Sequence, residues 1–141
     1  MTASPAPRRL GRSALAVLAG IVAIFALSLG TDAALHAAGA FPGWGQPMSD
    51  GLFALATAYR IPFQVLGCWL AARLAPDRPM GHALALGALG LVLGTLGAAA
   101  SWNAGLGPRW YPILLVASSL PCAWAGGKLQ GLGPSGRPRP A

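Results

Sequence analysis

Residues 13–31 read SALAVLAGIVAIFALSLGT, a run of 19 residues without a charged side chain. A helix needs about 20 predominantly apolar residues to cross the hydrocarbon core of a bilayer. A second run of 30 residues, from Pro79 to Pro108, also contains no Asp, Glu, Lys or Arg. These two runs predict membrane-spanning helices in a chain of 141 residues, a length that suits one domain.

The composition points to the same class of protein. Hydrophobic residues make up 55% of the chain and charged residues 9%, whereas soluble domains carry roughly 25% charged residues. So few charged side chains cannot cover the surface of a globular protein. Lipid is therefore expected to cover part of that surface. The formal charge of +7 does not indicate nucleic-acid binding, because the basic residues lie between long apolar runs. Lipid is therefore the expected partner, and nucleic acid is not.

The apolar segments and their breaks predict four helices, at about residues 13–39, 50–74, 80–102 and 111–128. Pro42 and Gly43 end the first helix, and Pro79 is placed to open the third. Together the helices form one transmembrane domain, residues 13–128, between two flexible basic tails, residues 1–12 and 129–141. A cleaved signal peptide is the rival interpretation of the first segment. Its apolar run exceeds the 7–15 residues or so of a signal sequence, and three more apolar segments follow.

The distribution of basic residues predicts the orientation. Eight of the ten Lys and Arg residues fall on one side of the predicted bundle, with Arg109 on the other side and Arg60 within it. The eight are Arg8, Arg9, Arg12, Arg73, Arg78, Lys128, Arg137 and Arg139. Because basic residues concentrate on the cytoplasmic side, both termini are expected there. The predicted fold is an all-α, multi-pass bundle of four transmembrane helices in a bacterial cytoplasmic membrane.

Arg60 is the most informative residue of the sequence. It lies ten residues into the second predicted helix, or about 15 Å below its outer end. A charge at that depth costs about 2.5–3.5 kcal/mol on insertion scales. Asp32 comes to a similar depth on the first helix, and the other two acidic residues lie in loops or at helix ends. We therefore predict an ion pair between Asp32 and Arg60.

Two more polar residues extend this pair into a candidate intramembrane site. His36 is one turn outward from Asp32, and Gln64 is one turn inward from Arg60. Polar side chains can hold membrane helices together, so the four residues can be purely structural. Intramembrane ionisable groups also mark paths for protons, ions or small anions. The sequence leaves both interpretations open.

A row of glycines marks a candidate packing face on the third helix. Gly87, Gly90, Gly94 and Gly97 follow one another at spacings of three, four and three residues. Small residues in such a row allow close approach of another membrane helix. The approaching helix can belong to the same bundle or to a second copy in a homodimer.

The sequence contains no signature of an enzyme, a cofactor site or a metal site. HExxH, GxSxG and P-loop motifs are missing, and Cys68 and Cys122 lie singly in apolar stretches. The leading hypothesis is a non-enzymatic membrane protein that acts through helix–helix association with itself or a membrane partner. The alternative is a small oligomeric transporter or channel for a proton, an ion or a small solute that uses the Asp/Arg/His site.

Overall fold

The computed structural model describes residues 6–134, with side chains from Arg9 onward, and folds them into four α-helices. These are α1 (Ala6–Ala37), α2 (Asp50–Leu74), α3 (Pro79–Ser101) and α4 (Trp110–Leu132). The described residues contain no strand. The prediction of an all-α protein with four helices is confirmed.

Two helix ends differ from the sequence prediction by more than two residues. α1 begins at Ala6 rather than Ser13, so residues 6–12, predicted as part of a tail, are helical. Proline is favourable in the first turn of a helix, so Pro7 does not prevent the early start. α4 continues to Leu132, beyond the predicted end at residue 128. Residues 1–5 and 135–141 of the two predicted tails lie outside the described residues.

Two of the four helices are long and apolar enough to cross a membrane. They are Arg9–Ala37 within α1 and Pro79–Ser101, which is α3. A core helix of a soluble protein or an N-terminal signal sequence would meet the same criterion. However, only 17% of the apolar window in each helix is buried, which leaves most of their apolar surface on the outside of the bundle.

The helices pack around α2, which contacts each of the other three. α3 packs along α4, whereas α1 touches α3 over a short stretch and, among the described residues, does not meet α4. An exposed ion pair of 3.8 Å between Arg9 and Asp77 brings the start of α1 beside the α2–α3 turn. α1 and α3 therefore approach each other weakly, with α2 and α4 behind them.

The core consists almost entirely of small side chains. Its buried apolar residues are Ala16, Phe41, Ala56, Cys68, Ala71, Ala72, Ala83, Leu86, Cys122 and Ala123. No large side chain among the described residues is fully buried. Soluble proteins instead place their large aliphatic residues inside. This core depends on close approach of the helices, as in bundles that are solvated by lipid.

Large apolar side chains form an exposed stripe on α1. They recur at spacings of three and four residues, and each is more than half exposed. They are Leu15, Leu18, Val22, Phe25 and Leu29. Contiguous apolar surface of this kind marks an interaction with a membrane or another apolar partner.

Glycines outside the predicted row bring the helix backbones together. A Cβ atom added to Gly20 would lie 2.6 Å from the carbonyl oxygen of Gly67, and one on Gly67 would lie 2.8 Å from that of Gly20. A Cβ atom on Gly126 would lie 2.6 Å from the backbone nitrogen of Trp69. Backbone contact at these points joins α1 to α2 and α2 to α4.

Candidate functional site

Four polar side chains from three helices form one hydrogen-bonded cluster. The Tyr59 hydroxyl donates to Oδ1 of Asp32, and Nη2 of Arg60 donates to Oδ2 of the same carboxylate. Nη1 of Arg60 donates to the hydroxyl oxygen of Tyr111. The cluster therefore ties α1 to α2 through the carboxylate and α2 to α4 through the guanidinium.

The antiparallel arrangement of α1 and α2 accounts for the meeting of the charged pair. Asp32 lies near the carboxyl end of α1, and Arg60 lies ten residues after the start of α2. Tyr111 reaches Arg60 from the first turn of α4, where its ring packs on Phe53 with centroids 4.7 Å apart. The guanidinium carbon of Arg60 is 5.7 Å from the Tyr111 ring centroid, so the ring adds a cation–π contact.

The charges of this pair are shielded unequally. The Asp32 side chain is 10% exposed and that of Arg60 is 26% exposed. A guanidinium has five N–H donors, and the described part of the chain provides partners for two of them. The Nε atom of Arg60 is buried without a partner. Both oxygens of the carboxylate are thus engaged, whereas the guanidinium keeps unused donors.

His36 lies against the α1–α2 loop and does not join the cluster. Its Nδ1 atom is 2.6 Å from the carbonyl oxygen of Pro42, which can only accept, so Nδ1 carries the proton. The ring stacks on Trp44 at 3.9 Å between centroids and meets Phe41 edge-on at 5.4 Å. His36 therefore fastens the α1–α2 loop to the end of α1.

Gln64 belongs to the contact between α2 and α4. Its Oε1 atom accepts a hydrogen bond of 3.2 Å from the Ser118 hydroxyl. This bond lies about one turn from Arg60 along α2. Of the four predicted polar residues, the structure joins Asp32 to Arg60 directly and places His36 and Gln64 in separate contacts.

Three of the four glycines in the predicted row face α4. A Cβ atom on Gly87 would lie 3.1 Å from the Ser119 carbonyl oxygen, and one on Gly94 would lie 3.1 Å from Cγ2 of Val116. A Cβ atom on Gly90 would make an ordinary contact of 3.6 Å with the Ser119 hydroxyl. Gly97 has open space around it. The glycine row therefore packs against α4 inside the bundle, except at Gly97, which lies toward the carboxyl end of α3.

A cavity of about 300 Å³ opens between α1 and α3, with α2 and α4 as its floor. We call it the lateral groove. Apolar side chains such as Ile24 on α1 and Leu86 on α3 form most of its lining. Its polar lining includes Ser28, Arg60 and Gln64. The groove therefore combines an apolar channel with a guanidinium that has free donors.

A second cavity of about 280 Å³ lies beneath the α1–α2 and α3–α4 loops. Its lining includes His36, Arg109 and Tyr111. Because Tyr111 lines this cavity and Arg60 lines the lateral groove, their hydrogen bond stands between the two spaces.

Sequence reasoning missed the roles of Tyr111 and Ser118. From the sequence alone, Tyr111 is one of several aromatic residues at the predicted outer boundary of the membrane, where aromatic side chains are enriched. The useful signal was the shortage of polar partners, since a buried Arg needs more acceptors than one carboxylate provides.

Comparisons with family models, with curated proteins and with solved structures find no match for this chain.

Proposed function

We propose that the protein crosses the cytoplasmic membrane four times, with both termini inside, and holds an apolar molecule in the lateral groove. In this proposal it works by binding rather than by catalysis. The observation that carries the proposal is the groove itself, an apolar space of about 300 Å³ between two helices whose outer surfaces are apolar. Molecules dissolved in the bilayer would enter it from the side.

The lengths of α2 and α4 support four spans. They contain 25 and 23 residues, or about 37 and 34 Å, compared with a hydrocarbon core of about 30 Å. Their central polar residues, Arg60, Gln64 and Ser118, bond to neighbouring helices rather than facing outward. Polar side chains that pair with neighbouring helices in this way are compatible with a membrane interior.

Pairs of aromatic and basic residues support a membrane boundary at each end of the bundle. Arg73 lies over the ring of Trp69 at 5.3 Å, and Lys128 lies over the ring of Trp124 at 5.6 Å, both toward the carboxyl ends of helices that run in the same direction. At the opposite end, Arg109 lies over the ring of Trp102 at 5.2 Å. Trp and basic side chains anchor helices at the level of the lipid headgroups. The orientation is supported by the excess of basic residues at the end that carries the first two pairs.

The size of the groove suits a small molecule. Small-molecule sites have volumes of about 300–1,000 Å³, and the groove, with about 300 Å³, is at the lower end of that range. A hydrocarbon chain or another slender apolar molecule is therefore the proposed occupant.

The two functions expected from the sequence remain proposals. Association through the glycine row would have to use Gly97, because the other three glycines already face α4. The exposed stripe of α1 is the alternative surface for such an association. Transport of a small solute is the second candidate, favoured by the position of the Arg60–Tyr111 bond between the two cavities.

A filled groove tests the binding proposal. Ser28→Phe places a ring in the groove, whereas Ala26→Phe adds the same ring to an exposed position on the same helix, outside the groove lining. After purification in mild detergent, apolar molecules retained by each variant are extracted and quantified by mass spectrometry. We expect one species bound near one equivalent to wild type and Ala26→Phe, and at least about tenfold less to Ser28→Phe. Equal retention by all three would contradict the proposal.

A further inference from the structure

We infer that the lateral groove selects an uncharged amphiphile with a carbonyl oxygen, which accepts a hydrogen bond from Arg60. The inference rests on the groove-binding function proposed above and names the chemical class of the ligand. Three features of the groove support it: the free donors of Arg60, the charge balance of the cluster and the apolar lining beside the guanidinium.

Arg60 supplies the hydrogen-bond donors. Its side chain lines the groove and is 26% exposed. Of its five N–H groups, the described residues engage one with Asp32 and one with Tyr111. Its Nε–H group is buried, so the remaining N–H groups of Nη1 and Nη2 are the donors that a ligand in the groove can meet. An acceptor on the ligand that pairs with one of them stabilises the complex. A plain hydrocarbon cannot provide this contact.

The charge balance of the cluster disfavours an anion. Asp32 already neutralises Arg60, and both oxygens of its carboxylate are hydrogen-bonded. A second carboxylate beside Arg60 would meet repulsion from Asp32 and would also lose its own hydration. A neutral carbonyl loses much less on burial and still accepts the hydrogen bond.

The lining beside Arg60 favours an ester with a slender apolar chain. The guanidinium extends from α2 toward Tyr111 in the first turn of α4, and apolar side chains such as Ile24 and Leu86 line the groove with it. A neutral fatty-acyl ester can place its carbonyl at the guanidinium while its chain lies in the apolar part of the groove.

Three probes that differ only in their head test this inference. They are methyl dodecanoate, dodecanoate at pH 8 and dodecane, each added to the delipidated, detergent-solubilised full chain. A ligand that binds only the folded state raises its stability as concentration exceeds Kd. We expect methyl dodecanoate to raise Tm by several degrees in wild type and Ala26→Phe, and to have at least about tenfold higher affinity than either other probe.

Two variants identify the contact. Ser28→Phe is expected to abolish the Tm shift by filling the groove. Arg60→Lys keeps a cation beside Asp32 but has fewer donors in a different geometry, so the preference for the ester over dodecane is expected to fall at least about fivefold. A higher affinity for dodecanoate, or equal stabilisation by dodecane and the ester, overturns the carbonyl inference while groove binding stands. A Tm shift unaffected by Ser28→Phe, or no shift with any probe, overturns both.

Discussion

Asp32→Asn is expected to destabilise the folded protein by about 3–5 kcal/mol, the usual cost of breaking a buried ion pair by removing one partner. The carboxylate accepts from both Tyr59 and Arg60. Its loss leaves the guanidinium charged in a mainly apolar environment. The measurement is reversible unfolding of the purified protein in mixed micelles, followed by the helical signal in circular dichroism.

The double variant Asp32→Asn/Arg60→Gln separates the ion pair from general damage at the site. Replacement of both charges removes the stranded cation, so we expect the double variant to recover at least half of the stability lost by Asp32→Asn. Asp77→Asn is the matched control, because its ion pair with Arg9 is 52% to 67% exposed and contributes at most about 1 kcal/mol. Additive losses in the double variant would show that the two charges do not compensate each other.

Gly126→Ala is expected to destabilise the bundle by about 1–3 kcal/mol or more, as overpacking in a tight core does. The new Cβ atom would lie 2.6 Å from the Trp69 nitrogen and 2.7 Å from the Val65 carbonyl oxygen. Both atoms belong to the α2 backbone, so α2 and α4 would have to separate. The same unfolding assay measures the effect.

Gly97→Ala is the control for this substitution. Its Cβ atom would meet nothing within 4 Å, and alanine is the better helix former by about 1 kcal/mol in water. We expect Gly97→Ala to be neutral or slightly stabilising. If both variants unfold alike, the close approach of α2 and α4 at Gly126 is contradicted.

The Asp32–Arg60 pair could be predicted from the sequence by eliminating the other acidic residues and comparing positions along the predicted helices. With three acidic residues in the chain, one lay at the depth of Arg60 on the neighbouring helix. The number of helices followed similarly from apolar runs broken by prolines and charges. The early start of α1 could not be predicted, because a basic segment with prolines, such as residues 6–12, is compatible with either a tail or the start of a helix.

The tertiary features of the site depend on distances that a single sequence does not encode. Tyr111 is 51 positions from Arg60 and contacts it because α4 packs beside α2. Gly20 and Gly67 are isolated glycines whose role appears only where α1 crosses α2. The lateral groove likewise results from the weak contact between α1 and α3, which no residue pattern in either helix indicates.

The proposed topology has four membrane spans, with the termini and the α2–α3 turn in the cytoplasm. Labelling of single cysteines at Gln46, Asn103 and Asp77, in a background with Cys68→Ala and Cys122→Ala, tests this topology. All three positions are exposed. A membrane-impermeant maleimide is applied to intact cells and to opened membranes. We expect labelling of Gln46→Cys and Asn103→Cys in intact cells, and labelling of Asp77→Cys only after the membranes are opened. Labelling of Asp77→Cys from outside, or recovery of the chain in the soluble fraction, would contradict it.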